Sequence, residues 1–307
     1  MKLDAPLNLD FEINTITRLS GRERSVYVRN LMALINTIAE RLVEEKKLLE
    51  LDGVKVFEQN DLFLPGKIMI ALSFWVTQYP ADSTITVERC STFRELVNML
   101  LDDPCETWGA HFYLKALTRL NDAGLMDACI SAEAISKLRS RLDWRLFVDE
   151  LTYDLKGKPH NFYGVAYSIA SSRFLLGWDD DSHSDAILGR LLEHYQIQRG
   201  EHGFPDETDG KGRYDRYSFL LMAEMAAYYQ NASKSLTQEM ELALRKSAEY
   251  VLFNINYEGE GFQFGRSIGA YGDSAFLQIL GAAAFHGLLT KFELQDGFLL
   301  SRLITDR

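Results

Sequence analysis

The stretch FYGVAYSIASSRFLL, residues 162–176, is apolar or small on nearly every side and contains no proline. A helix of that character has no polar face to turn toward water, so it is predicted to be buried. Ser274–Leu289 has the same character, whereas Ser184–Gln196 and Ser235–Asn254 each combine an apolar stripe with a charged face. We therefore expect two layers of helices, an inner buried layer and an outer amphipathic layer.

Helical periodicity recurs along most of the chain. Ser25–Leu51 has the pattern of one long amphipathic helix, because Leu31, Leu34, Ile38 and Leu42 recur at three- and four-residue spacing. Sustained alternation, which would indicate half-buried strands, is almost absent. The fold class is predicted to be all-α, with further helices near Gly66–Thr77, Thr92–Leu101, Thr107–Asn121, Ala132–Leu142 and Tyr214–Gln230.

Two segments repeat the same order of features. A Gly-Phe turn at Phe204 is followed ten residues later by Tyr214 and an apolar run, and a Gly-Phe turn at Phe262 is followed nine residues later by Tyr271. The offset between the two turns is 58 residues (262 − 204), which suits two helices and their connections. A repeated helix pair predicts an open α-solenoid or a closed α/α toroid. The buried inner helices favour a toroid, closed or incomplete, of about five to six pairs.

The composition excludes several classes of protein. The 307 residues carry 33 Lys and Arg against 44 Asp and Glu, and the net charge of −11 argues against a generic binder of duplex nucleic acid. The hydrophobic fraction of 47% is ample for a core, and no run approaches the roughly 20 apolar residues that span a bilayer. No composition break divides the chain, so a single domain, 1–307, is expected.

Cysteine usage and the amino terminus predict the compartment. Residues 1–10 lack a basic flank followed by an apolar stretch, so they do not have the pattern of a secretory signal. Cys90, Cys105 and Cys129 are odd in number and lack C-x-x-C spacing, which argues against a disulfide framework or structural zinc. We expect a cytoplasmic protein with no cofactor, whose partner is an oligosaccharide or other small-molecule substrate. No set of metal-ligating residues stands out, and metal use is left open.

His160 and Asn161 are the first candidate site residues. In a toroid, the loops that enter the inner helices meet at one mouth, and loops on a rigid scaffold can carry chemistry. Both side chains can donate to an oxyanion or a carboxylate, and the helix N-terminus that they open favours anions. The alternative is that Asn161 caps the helix and His160 is merely exposed.

One polar segment of the first repeat concentrates carboxylates, guanidinium groups and phenols. Tyr214 and Tyr217 fall on one helix face, Asp215 and Arg216 flank them, and Asp206 precedes them in the loop. A Tyr whose pKa is lowered by a nearby Arg can act as a general base, and its protonated form as an acid. The alternative is a solvated acidic loop. A calcium loop is disfavoured because the closing Glu of an EF-hand is absent.

The second repeat supplies Arg266, Tyr271 and Asp273 within a glycine-rich run. Glycines let the backbone approach a ligand closely, and the fork of Arg266 suits a carboxylate or a pair of sugar hydroxyls. Asp273 is either an acid or base, or the N-cap of the helix predicted from Ser274.

Six short motifs follow one another between Pro159 and Leu289: Asn161-Phe162, Leu176-Gly-Trp178, Leu192-Glu-His-Tyr195, Gly203-Phe-Pro-Asp206, Tyr214-Asp-Arg-Tyr217 and Phe264-Gly-Arg-Ser267. Their order resembles an uncharacterised bacterial α/α-toroid family, which is related to the toroid domains of heparinase II/III-like polysaccharide lyases and of unsaturated glucuronyl hydrolases. The lyase resemblance implies that Tyr214 or Tyr217 moves a proton while His160, Asn161 and Arg216 or Arg266 neutralise a uronate carboxylate. The hydrolase resemblance implies Asp206, Asp215 and Asp273 as acid and base.

The sequence thus predicts a carbohydrate-active enzyme, a lyase or a glycoside hydrolase, that acts on an oligosaccharide for which uronic acid is a candidate component. One alternative is a different enzyme on the same scaffold, such as a terpenoid cyclase or dehydratase or a sugar epimerase. A dry aromatic cavity would favour the cyclase, and charged groups at the mouth would favour the sugar enzyme. The other alternative is a non-catalytic helical-repeat binding protein, whose loops would surround an open groove.

Overall fold

The computed structural model describes residues 28–45, 50–51, 54–55, 61–198, 217–231, 234–256, 258, 260–262, 268 and 270–305. Over these residues the protein is all-α, as predicted, with a small hairpin of β1 (Glu50–Leu51) and β2 (Val54–Lys55) and a 3₁₀ turn at Trp144–Leu146. The helices are α1 (28–45), α2 (Leu64–Val76), α3 (Thr84–Leu100), α4 (Trp108–Asp122), α5 (Met126–Cys129), α6 (Ala132–Arg141), α7 (Phe162–Leu175), α8 (Asp181–Gln198), α9 (Tyr217–Asn231), α10 (Gln238–Asn254), α11 (Ala270–Phe285) and α12 (Lys291–Thr305).

Five helices form one continuous layer. α2 packs on α4, α4 on α7, α7 on α9, and α9 on α11. Five further helices pack against this layer: α3 on α2, α5 on α4, α8 on α7, α10 on α9 and α11, and α12 on α11. Every residue of α7 from Gly164 to Arg173 is buried, so the helix predicted to be apolar all round does lie inside the protein.

Four of the five helices in the continuous layer recur at a regular interval, while α2 begins at residue 64, 44 residues before α4 (108 − 64). α4, α7, α9 and α11 begin at residues 108, 162, 217 and 270, which gives steps of 54, 55 and 53 residues. This is the interval of a repeated helix pair. Among the described helices, the extensive packing runs from α2 to α11 without returning from α11 to α2. Closure into a toroid therefore stays a prediction.

Helices α4, α7 and α11 end in the same way. A glycine with φ of 67° or 68° follows each helix, at Gly124, Gly177 and Gly287. In each case the next residue donates its N–H to a carbonyl five residues back, as in the bond from Trp178 to Arg173. This Schellman arrangement requires the left-handed conformation that glycine adopts without strain, so the local sequence sets where these helices stop.

α2 and α4 are parallel and touch through glycines near their N-termini. A Cβ atom on Gly66 would lie 2.0 Å from the carbonyl oxygen of Gly109, so only glycine permits this approach. Toward the other end, the Arg119 guanidinium of α4 lies over the Phe74 ring of α2, 5.3 Å from its centroid. Contacts at both ends show that the helices run side by side in one direction.

The sequence prediction differs from the structure at several helix ends. The helix predicted for Ser25–Leu51 is wrong at its C-terminal end, because residues 50 and 51 pair with residues 55 and 54 in the hairpin. α3 begins at Thr84, eight residues before the predicted start, because the Ser83 side chain accepts a bond from the Thr86 N–H as N-cap. α11 begins at Ala270, which places Asp273 inside the first turn and excludes it as the N-cap.

The apolar core is continuous through the described part of the chain, from Ile35 of α1 to Ala283 of α11. The single domain over residues 1–307 stays a prediction. None of the described helices is both long and apolar enough to cross a membrane.

Candidate functional site

The turn that leads into α4 is held in a strained conformation. Thr107 has φ 40° and ψ −103° and is buried. A β-branched residue adopts such angles only where the surroundings impose them, and such outliers cluster at functional sites. Two backbone hydrogen bonds hold the turn in place. The Glu106 N–H donates to the Leu62 carbonyl, and the Gly109 N–H donates to the Glu106 carbonyl at 2.7 Å. Thr107 is therefore fixed between the starts of α2 and α4.

One turn into α4, a buried histidine joins α4 to α7. His111 Nδ1 lies 2.8 Å from Ser168 Oγ, and both side chains are almost fully buried. Burial, and then the nearby Lys115 cation, hold the pKa of His111 well below its usual range. The imidazole is therefore neutral. Its contact with Ser168 fixes which face of α4 lies against α7.

Lys115, one turn further along α4, forms an ion pair with Glu224 of α9. α7 packs between these two helices, so the two side chains meet across α7. We call the face of the α4–α7–α9 layer on which they meet the inner face. The side chains are 29% and 11% exposed, so the pair is only partly buried.

Lys115 carries an unusual proton affinity. Burial, and then the neighbouring Arg119 cation, lower the pKa of Lys115 to about 8. The ion pair with Glu224 acts in the opposite direction, because a carboxylate favours the ammonium form. A lysine whose pKa lies close to neutrality can exchange a proton under ordinary conditions, which is a property that active sites select.

Arg119 extends the inner face toward α2. It follows Lys115 by four residues and is exposed, and its guanidinium stacks on Phe74. The Arg119 guanidinium stays charged at any ordinary pH. Lys115, Arg119 and Glu224 therefore place two basic groups and one acid on this face.

His160 and Asn161 lie in the turn before α7, as predicted. The His160 ring is exposed and packs edge-on against His194 of α8, with 4.8 Å between centroids. Asn161 occupies the N-cap position, yet its side chain makes no capping hydrogen bond and is buried. The capping alternative considered for Asn161 is therefore wrong, while a substrate-binding role for both residues stays a prediction.

Asp273 is buried in the first turn of α11. Its Oδ1 accepts a hydrogen bond from the Gly261 N–H at 3.1 Å. A Cβ atom on Gly261 would lie 2.0 Å from the Phe276 ring, and Phe262 also packs on Phe276. These contacts give Asp273 a structural role, which is to hold the Gly-Phe turn of the second repeat against α11. Its catalytic role stays a prediction.

Of the other predicted site residues, Tyr217 is the first residue of α9 and Tyr271 is the second of α11. The remaining predicted residues lie outside the described residues, namely Asp206, Tyr214, Asp215, Arg216 and Arg266.

Sequence reasoning missed the pair on the inner face. Glu224 is the single charge in the apolar run FLLMAEMAAYY, residues 219–229, and Lys115 is the single Lys, Arg, Asp or Glu in the mostly apolar run HFYLKALT, residues 111–118. A lone charge within a buried helix needs a partner. This signal could have selected each residue, but it could not have paired two residues 109 positions apart.

A second charged cluster lies at the C-terminal end of α7. Arg173 is almost fully buried and donates to Asp179 and to the carbonyls of Arg139 and Leu142, and Arg145 donates to the same Asp179. Burial would raise the pKa of Asp179, but the bonds from the two arginines lower it to about 2. All these partners are groups of the protein itself, so the cluster anchors the end of α7.

Within the part of the chain that the structure describes, no group of three or more His, Cys, Asp or Glu side chains could hold a metal ion. No protein-family model, no curated protein and no solved structure matches the chain, so the likeness to the toroid lyases and hydrolases rests on the quoted sequence motifs.

Proposed function

We propose that the protein is a carbohydrate-active enzyme that acts on an acidic oligosaccharide bound at the inner face. The observation that carries the proposal is the Lys115–Glu224 pair, which spans α7 and stays accessible to solvent. The charged groups favour a sugar enzyme over a terpenoid cyclase, whose cavity would be dry and aromatic.

The Lys115–Glu224 ion pair is not expected to add much to the free energy of unfolding. Taking two charges out of water costs free energy that their attraction repays only in part, and apolar residues at such positions are often as stabilising. A partly buried ion pair among apolar helices therefore supports a role in binding or chemistry. The pKa of Lys115, lowered to about 8, supports the same role.

A lyase reaction suits these groups. It removes a proton next to a uronate carboxylate, breaks the bond from the adjacent carbon to the glycosidic oxygen as a carbon–carbon double bond forms, and delivers a proton to that oxygen. It also needs a cation to neutralise the carboxylate. Lys115 in its neutral form can accept the proton, and Arg119 can bind the carboxylate through its fork. The tyrosines and arginines that the resemblance implies, Tyr214 or Tyr217 and Arg216 or Arg266, would complete the site.

Glycoside hydrolysis is the alternative reaction at the same face. It needs two carboxyl groups, about 5 Å apart for retention and 6.5–9.5 Å apart for inversion. Glu224 would be one of them, and Asp206 or Asp215 would supply the other.

The test is activity against matched acidic and neutral oligosaccharides, followed by the ultraviolet absorbance of unsaturated uronate and by reducing-end release. Wild type would be compared with Lys115→Met and with Lys137→Met, a control at an exposed lysine of α6. We expect activity on acidic substrates that Lys115→Met loses and Lys137→Met keeps. Absorbance would assign a lyase, and reducing ends without absorbance would assign a hydrolase. Equal activity in Lys115→Met and wild type would refute the site, and absence of activity and binding for every sugar would refute the function.

A further inference from the structure

Two cysteines from different helices lie side by side beneath the outer layer. Cys90 of α3 and Cys129 of α5 have their sulfur atoms 3.0 Å apart, with the thiol of Cys129 donating to Cys90. Both side chains are buried, at 3% and 0% exposure. They are 39 residues apart in the sequence, so only the packing of α5 on α3 brings them together.

An arginine fixes the position of this pair. Arg94 lies one turn after Cys90 on α3, and its guanidinium donates to the carbonyls of Asp127 and Ala128, at 2.7 Å each. These carbonyls immediately precede Cys129. Arg94 therefore ties the residues that precede Cys129 to α3, next to Cys90.

We propose that Cys90 and Cys129 form an intramolecular disulfide bond when the protein meets a small disulfide oxidant such as oxidised glutathione. The bond requires a sulfur–sulfur distance of about 2.05 Å, so the atoms need to approach by only about 1 Å. The proposal is independent of the proposed function, because neither cysteine belongs to the inner face.

The reaction consists of two thiol–disulfide exchanges. One cysteine thiolate attacks a sulfur of the oxidant, which forms a mixed disulfide and releases one small thiolate. The second cysteine thiolate attacks the mixed disulfide at the protein sulfur and releases the second small thiolate. The two protein thiols lose two protons and two electrons in total, and the oxidant leaves as two thiol molecules.

The surroundings predict slow exchange in the native state. Burial, and then the adjacent Cys90, raise the pKa of Cys129, so little thiolate is present. Attack requires the oxidant to reach the pair, which local opening of the four-residue helix α5 would allow. Refolding in the presence of the oxidant removes this barrier, because the thiols are then accessible.

The third cysteine provides a matched control. Burial raises the pKa of Cys105 to about 12, and its sulfur lies next to Gly109, at the start of α4. It has no part in the proposed bond, so Cys105→Ala should leave the pair intact.

The experiment refolds the full chain from urea in a glutathione redox buffer, quenches it with acid and counts free thiols after denaturation. Of the three thiols, wild type should keep one, Cys105→Ala should keep none, and a peptide map should show Cys90 linked to Cys129. Native protein incubated with oxidised glutathione should reach the same state more slowly. Three free thiols after refolding, or bonds that involve Cys105 or a second chain, would overturn the proposal. Wild type and Cys105→Ala suffice if variants of the pair fail to fold.

Discussion

Lys115 should react with amine reagents at a pH where ordinary lysines do not. Its pKa of about 8 compares with about 10.4 for a lysine in water. At pH 7 the neutral fraction is then about one in ten, against about one in 2,500 for an ordinary lysine, a difference of roughly 200-fold. Because the side chain is partly exposed, a small acylating reagent reaches it.

Competitive labelling with acetic anhydride, read out by mass spectrometry of the Lys115 peptide across a pH series, gives this pKa directly. Substitutions at two neighbouring residues should shift the pKa of Lys115 in opposite directions. Glu224→Gln removes an anion that favours the ammonium form, so the pKa of Lys115 should fall further. Arg119→Met removes a cation that disfavours the ammonium form of Lys115, so the pKa of Lys115 should rise. A midpoint above pH 10 in wild type, or shifts in the reverse directions, would refute the electrostatic reasoning.

Three further predictions concern stability, each measured as the free energy of unfolding in denaturant. Gly66→Ala should destabilise the protein by about 1–3 kcal/mol or more, because the added Cβ meets the Gly109 carbonyl. Gly189→Ala on α8, where there is open space around the glycine, should stabilise it by about 0.5–1 kcal/mol. Equal effects of the two substitutions would contradict the packing of α2 on α4. The pKa of Asp179, about 2 in the folded protein and about 3.9 unfolded, contributes about 2 kcal/mol above pH 4 that is lost as the pH falls toward 2. In Asp179→Asn, the free energy of unfolding should therefore fall less between pH 4 and pH 2 than in wild type. The same pH dependence in both proteins would contradict this contribution of Asp179. The Cys90–Cys129 disulfide should stabilise the oxidised protein by about 4 kcal/mol in the chain-entropy account, since it closes a loop of about 40 residues; the same stability in both redox states would contradict this.

The sequence predicted helices well where the pattern of apolar residues within the helix itself determines its position and burial. The run of small and apolar residues in 162–176 set the burial of α7, and α7 begins at the predicted Phe162. The predictions were wrong where capping or a turn overrides periodicity. Ser83 starts α3 well before the apolar stripe becomes clear, and the hairpin at residues 50–55 interrupts a pattern that continues as helical in sequence.

The site was less predictable than the fold. His160 and Asn161 lie where the sequence placed them, because their position follows from the start of α7. The contacts of Lys115 with Glu224 and of His111 with Ser168 depend on which helices become neighbours, and a single sequence does not contain that information. The same reason explains why spacing along the chain did not reveal Cys90 and Cys129 as a pair.

The most direct test of the inner face is the ¹³Cε NMR signal of Lys115, assigned by its loss in Lys115→Arg and followed during titration with a uronic-acid trisaccharide. A neutral trisaccharide of the same length is the control. An anion bound beside Lys115 favours the ammonium form, so the acidic sugar should shift the Lys115 titration to higher pH while the neutral sugar leaves it in place. An unchanged Lys115 titration at acidic-sugar concentrations that saturate the protein would contradict the account.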